Sequence, residues 1–149
     1  MTKALGGELF RALAEIAGDA IVVLDAEGKV AFWNRAAEEM FGYSADEIMG
    51  KPLTMVIPER FRMEHTEGFK RAVLKGRMRP KRAELSGLRK DGTEVLFEVS
   101  ITSLKLEDET FFIGILRDIT SRIEAQRELE RISREKEEMF QTLASLTLI

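Results

Sequence analysis

Apolar residues along this chain switch period several times, and each switch marks an element. Leu9, Leu13 and Ile16 recur at helical spacing with Phe10 beside them, which predicts a short amphipathic helix over Glu8 to Ile16 that stops at Gly18 and Asp19. Ala20-Ile21-Val22-Val23-Leu24-Asp25 is then rich in β-branched residues, and after Ala26-Glu27-Gly28-Lys29 the apolar run resumes at Val30-Ala31-Phe32-Trp33. That pairing predicts a hairpin of two strands, with Gly28 free to take positive φ in the turn.

Short helices come next. Asn34 is placed to cap Arg35 to Phe41, and Gly42 ends it. Ser44-Ala45-Asp46-Glu47 spells a capping box for a second short helix that stops at Gly50 and Pro52. Pro58 opens a longer helix, Glu59 to Lys75, on which His65, Phe69 and Val73 recur every fourth residue and so share a face; Gly76 closes it.

Beyond Gly76 alternation takes over. Ala83 to Leu88, a Lys90-Asp91-Gly92 turn and the run Val95 to Ile101 read as two strands, with Val95, Phe97, Val99 and Ile101 facing one way. An acidic turn, Glu107-Asp108-Glu109, leads into a last strand from Thr110 to Leu116. The order predicts an α+β domain: a five-stranded antiparallel sheet with short helices on one face.

The final segment has another period. Leu129, Ile132, Met139, Leu143 and Leu146 keep the 3-4 spacing of a seam that Lys136 interrupts, while Glu124, Glu128, Arg131, Arg134, Glu135 and Glu138 lie outside it. So narrow a stripe needs a partner. One reading is a parallel coil joining two copies; the other is a helix folded back on its own domain. Leu9-Phe10-Arg11-Ala12-Leu13-Ala14 also matches Met139-Phe140-Gln141-Thr142-Leu143-Ala144. Read as two entry helices, the pair predicts a second repeat further along a longer receptor, although any amphipathic helix can spell such a pattern by chance.

Composition narrows the function. The 149 residues, 44% hydrophobic and 33% charged, suit one globular domain plus a helical extension. A net charge of −3 gives no electrostatic reason to expect nucleic acid or an anionic membrane as partner. No run approaches the ~20 apolar residues of a membrane span and no secretory signal opens the chain, so a cytoplasmic protein without direct membrane insertion is expected. With no cysteine there is no disulfide, thiolate zinc site or thiol photoadduct. No Ser-His-Asp order, phosphate loop or pair of carboxylates nominates a reaction, so the expectation is a protein that is not an enzyme; His65 is the single histidine, which leaves no separate phosphoacceptor.

Several motifs in order resemble the PAS sensory domains: Phe32-Trp33-Asn34-Arg35-Ala36-Ala37-Glu38 with Phe41-Gly42-Tyr43-Ser44, then Glu47-Ile48-Met49-Gly50, Arg89-Lys90-Asp91-Gly92 and Gly114-Ile115-Leu116-Arg117-Asp118-Ile119-Thr120. The resemblance covers roughly residues 8 to 122. It implies a sheet closing over a central pocket, helices on the pocket side and a signal carried out through a coiled coil. The expected organisation is an N-terminal helix over 1–18, a PAS domain over 19–120 and a signalling helix over 121–149. The expected partners are a second copy, joined through the N- and C-terminal helices, and an effector domain in the parent protein.

His65 draws attention to the pocket. An imidazole beside Phe69 and Val73 can offer a lone pair to a metal under apolar cover, which suggests haem b. Pro58 to His65 is also similar to the proximal segment of the haem-binding oxygen-sensor PAS subfamily. That resemblance implies His65 as axial ligand, Arg71 as propionate partner, and Val99 and Ile101 as apolar distal residues. Where the subfamily carries a distal arginine this chain has Ala83, with Arg82 adjacent. A core histidine bonded to a backbone carbonyl, in a cofactor-free interaction module, is the alternative. A noncovalent flavin stacked on Trp33 is a lesser one. Lys75, Arg77, Arg79, Lys81 and Arg82 form a basic run around Pro80 that reads either as a solvated loop or as a grip for propionates or a phosphate. Signal transmission is assigned to Arg117, Asp118, Ile119 and Thr120, with Asp118 and Thr120 capping the outgoing helix.

Overall fold

Strand pairing follows the alternation in the sequence. In a computed structural model, which describes residues 2–147 with side chains from Gly7 onward, β1 (Ala20–Leu24), β2 (Val30–Trp33), β3 (Lys81–Leu88), β4 (Glu94–Leu106) and β5 (Glu109–Asp118) form one antiparallel sheet. Its order is β2-β1-β5-β4-β3, so the first and last strands of the chain are neighbours, with Ala20 opposite Leu116 and Leu24 opposite Phe112. The helices α1 (Thr2–Ile16), α2 (Arg35–Phe41), α3 (Ala45–Ile48) and α4 (Glu59–Lys75), with a 3-10 turn at Leu53–Val56, complete a body of residues 1–118. Residues 119–149 form a separate unit that carries α5 (Thr120–Thr147). The chain thus has the α+β architecture expected of it.

One face of the sheet is buried. Val22 and Leu24 of β1, Val95, Phe97 and Val99 of β4, and Phe112 and Leu116 of β5 join Trp33, Ala37, Ile48 and Ala72 in a single core. Phe41 is 1% exposed there, its ring centroid 5.3 Å from that of Trp33 and 6.1 Å from that of Phe97. Burying a side chain of this size is worth roughly 1.5–3 kcal/mol. On β3, Gly87 comes so close that a Cβ would lie 2.6 Å from the Phe41 ring and 2.9 Å from that of Phe97. Only hydrogen fits.

Asn34 does more than cap α2. Its Oδ1 accepts from the backbone N–H of Ala37 at 3.0 Å, the expected cap, and also from Ile21 at 2.9 Å. Its Nδ2 donates to the carbonyls of Ala14 at 2.7 Å and Asp19 at 3.1 Å. One fully buried amide thereby holds α1, β1 and α2 together. Phe10 of α1 packs against Phe32 of β2, with ring centroids 5.3 Å apart.

Element ends differ from the expectation where backbone pairing carries on without apolar side chains. α1 starts at Thr2 rather than Glu8, because helix propagation needs no apolar stripe. β3 starts at Lys81 rather than Ala83, since Lys81 pairs with Ile101 and Arg82 with Ser100 through the backbone alone. β4 continues to Leu106 and β5 starts at Glu109, opposite it. Glu107 and Asp108 between them both have positive φ, 49° and 67°, the twist that suits a two-residue hairpin turn.

α5 has no buried residue. Leu129, Ile132, Met139, Leu143 and Leu146 are 48–67% exposed, so the apolar stripe lies open along the helix. Arg131 pairs with Glu128 and Glu135 one turn away on either side, which supports the helix by a few tenths of a kcal/mol per pair, about 0.2–0.5. Among the described residues, no helix is long and apolar enough to cross a membrane.

Candidate functional site

The inner face of α4 is positioned by a clamp at each end. At its start, Arg60 makes a two-pronged pair with Glu94 at the head of β4, 2.8 and 2.6 Å, and Arg62 Nε donates to the Ile57 carbonyl at 2.9 Å. Past its end, Gly76 closes the helix by donating to the carbonyls of Ala72 and Val73. Met78 is then pinned to β4, its N–H donating to the Ser103 hydroxyl at 2.6 Å.

Between the clamps, Phe69, Ala72 and Val73 pack on the buried face of the sheet. The Phe69 ring lies 4.9 Å from that of Phe112, and 3.4 Å from where a Cβ on Gly28 would sit. Gly28 has φ +80°, so that turn needs glycine for its backbone. His65, one turn earlier, is half-buried and stacks on Phe69 at 6.1 Å and 22°. Burial pushes its imidazole below the usual histidine range, which keeps it neutral near pH 7.

Of the other residues assigned to a ligand, Val99 is buried and Val73 and Ile101 are half-buried against the same core, while Arg71 is exposed on α4. Ala83 pairs across the strands with Val99; Arg82 is exposed beside Glu98, 3.9 Å away. Trp33 is 3% exposed, with its indole N–H on the Tyr43 carbonyl at 3.0 Å and Phe41 against its ring, so it is committed to the core.

Tested as a haem site, this face has the right donor and too little room. A neutral imidazole under apolar cover suits iron. Yet the Phe69 ring packs on Phe112 between α4 and β5, and the two clefts that flank Pro80, about 350 and about 670 Å³, are not lined by His65, Phe69 or Val99. A porphyrin does not fit here while Phe69 stays on Phe112.

The end of β5 is tied to both sides of the body. Arg117 pairs with Asp19 at the head of β1, 3.1 and 3.3 Å, and the Asp19 carboxylate holds its guanidinium above the usual arginine range. Asp118 lies 3.9 Å from the Arg89 guanidinium, whose Nε donates to the Met40 carbonyl of α2 at 3.1 Å. Ile119 is buried and α5 opens at Thr120, so Asp118 belongs to the strand and Thr120 to the helix's first turn.

Sheet order, helical cover and outgoing helix together define a sensory domain, and comparison names its family. Residues 18–121 match the PAS domain family, and the chain belongs to it. The sensor protein FixL of Bradyrhizobium diazoefficiens is 28% identical over 133 residues, covering 84% of this chain and 25% of FixL. The oxygen sensor protein DosP of Escherichia coli is 29% identical over 112 residues, 74% of this chain and 14% of DosP. Among solved structures, the PAS domain of an HTR-like protein from Haloarcula marismortui superposes with a TM-score of 0.65 at 27% identity, covering 79% of this chain and 95% of that one. The chain therefore spans a quarter or less of the length of these two curated relatives.

Proposed function

We propose that this chain is the sensing and dimerisation module of a larger signal-transduction protein, in which a change on the inner face of α4 passes along β5 to a coil of two α5 helices. One arrangement carries the reading: Phe112, which touches Phe69 of α4, sits on the strand that ends in Arg117-Asp118. A packed strand moves as a unit, so a displacement at Phe112 is felt at the Asp19 and Arg89 ion pairs. The open Leu129, Ile132, Met139, Leu143 and Leu146 stripe is the surface a second copy covers, and the output belongs to an effector elsewhere in the parent protein. In the parent protein, Asp118→Ala should abolish stimulus-dependent output while fold and ligand persist; unchanged output rejects the relay.

Two ligand states have one observation each behind them. The Phe69–Phe112 contact supports a cofactor-free module. Neutral His65 under apolar cover, with the similarity to an oxygen sensor, supports haem b with His65 on the iron, Arg71 toward a propionate, and gas or redox sensitivity supplied by the haem. Absorbance after reconstitution with haem separates them. A Soret band that His65→Ala removes marks the haem form, and a colourless protein that stays folded after the substitution marks the other.

A further inference from the structure

A cleft of about 670 Å³ opens between the last turns of α4 and the start of β3, and its rim carries one sign of charge. Arg71 and Lys75 come from α4, Arg77 and Arg79 from the loop, and Lys81 from the head of β3, around Ala72, Met78 and Pro80. No carboxylate lines it. All five cations are exposed, and none of them is ion-paired among the described residues. Elsewhere in the body Arg60 meets Glu94, Lys90 meets Glu47 and Arg117 meets Asp19. The chain has more acidic than basic residues, 26 against 23, so this local excess is not a reflection of overall composition.

The loop is also held in place. Met78 stands between Arg77 and Arg79, its side chain packed against the core and its backbone bonded through both N–H and carbonyl to Ser103 of β4. The carboxyl-terminal dipole of α4 accounts for Lys75 alone, since its effect fades within one turn. Like charges gathered on a fixed frame raise the local positive potential, which an anion bound among them lowers.

We propose that this cleft binds a small organic polyanion with a phosphate or pyrophosphate head, gripped by Arg71, Arg77 and Arg79, its body resting on Met78 and Pro80. Guanidinium forks match phosphate oxygens two at a time. The volume falls within the roughly 300–1,000 Å³ of small-molecule sites. A long nucleic acid is disfavoured by the acidic remainder of the chain. His65 does not line the cleft, so the site needs no ligand on His65; Arg71 is shared with the haem reading, and binding to the haem-free chain separates the two.

Calorimetric titration of the full chain in its haem-free form, with pyrophosphate and separately with ADP, tests this. Saturable binding of both is expected, weakened at least about tenfold in Arg77→Glu/Arg79→Glu and unchanged in His65→Ala and in Lys105→Glu, an exposed cation of β4 outside the cleft. Circular dichroism verifies the fold, and Arg77→Gln/Arg79→Gln gives the same readout if the reversal is not tolerated. Absence of saturable binding, binding that the double variants retain, or equal displacement by sulfate overturns the proposal.

Discussion

Replacing Asn34 with alanine strips four backbone groups of their partner at a position with no solvent exposure. Losing the cap on Ala37 costs about 0.5–2 kcal/mol. Ala14 O is orphaned in the interior, and Ile21 N–H and Asp19 O at partly buried positions, at about 1–3 kcal/mol for a fully buried group and less where water reaches. The sum is about 3–5 kcal/mol, a large fraction of the ~5–15 kcal/mol that holds a domain folded. Asn34→Asp isolates one half of the amide: it keeps an acceptor for Ile21 and Ala37 but turns a second oxygen toward the carbonyls of Ala14 and Asp19. The folded-state pKa of that carboxyl must then rise above its unfolded value of about 3.9. Stability is retained below about pH 4, where the acid is protonated and can donate to one carbonyl, and is lost as pH rises through the folded value. Urea unfolding followed through Trp33, which is 3% exposed, reads both variants at about pH 4 and about pH 7.5. A cost below about 1 kcal/mol for alanine, or a pH-independent gap between Asn34→Asp and the parent, would refute the bonding scheme.

Gly87→Ala should destabilise the body by about 1–3 kcal/mol in urea, because the new Cβ would press on Phe41 and Phe97, and Phe41 is already held between the rings of Trp33 and Phe97; a loss under about 0.5 kcal/mol shows that both rings can retreat. Burial lowers the His65 pKa below its unfolded value of about 6.5, so its contribution is present above that pH and is lost as pH falls through the folded value. His65→Leu should flatten the acid side of the stability curve, and an unchanged slope assigns it to other groups. If two copies pair through α5 as proposed, the parent should sediment as a dimer and Leu129→Glu with Leu143→Glu as a monomer with the sheet's dichroism intact, whereas a monomeric parent or a persistent dimer in the variant refutes that interface.

Features that depend on sequence neighbours were legible in the chain. The caps at Asn34 and Ser44, the helix from Glu59 to Lys75, its closure at Gly76 and the turn before Thr93 each need only a few adjacent residues, and each forms. What lies beyond is pairing at a distance. Nothing local places β5 between β1 and β4, and nothing in the Asn34 neighbourhood points to Ala14 or Asp19 as partners. The basic run around Pro80 becomes the wall of a cleft only because Ser103, 25 residues on, fixes Met78.

The same division governs the inner face of α4. Spacing alone puts His65, Phe69 and Val73 on one side of α4, but whether that side meets a hollow or a filled core depends on Phe112, brought there by the β1–β5 pairing. The Phe69 and Phe112 rings meet there. A ligand entering beneath α4 must therefore move the Phe69 ring, and the ring it leaves is on β5, the strand that ends in the Arg117 and Asp118 ion pairs. On the proposed relay, ligand entry and strand displacement are one event, and a smaller side chain at position 69 should separate them: Phe69→Ala makes room without requiring Phe112 to move. Such a variant should bind ligand at least as well as the parent and signal less, because the contact that couples the two is gone.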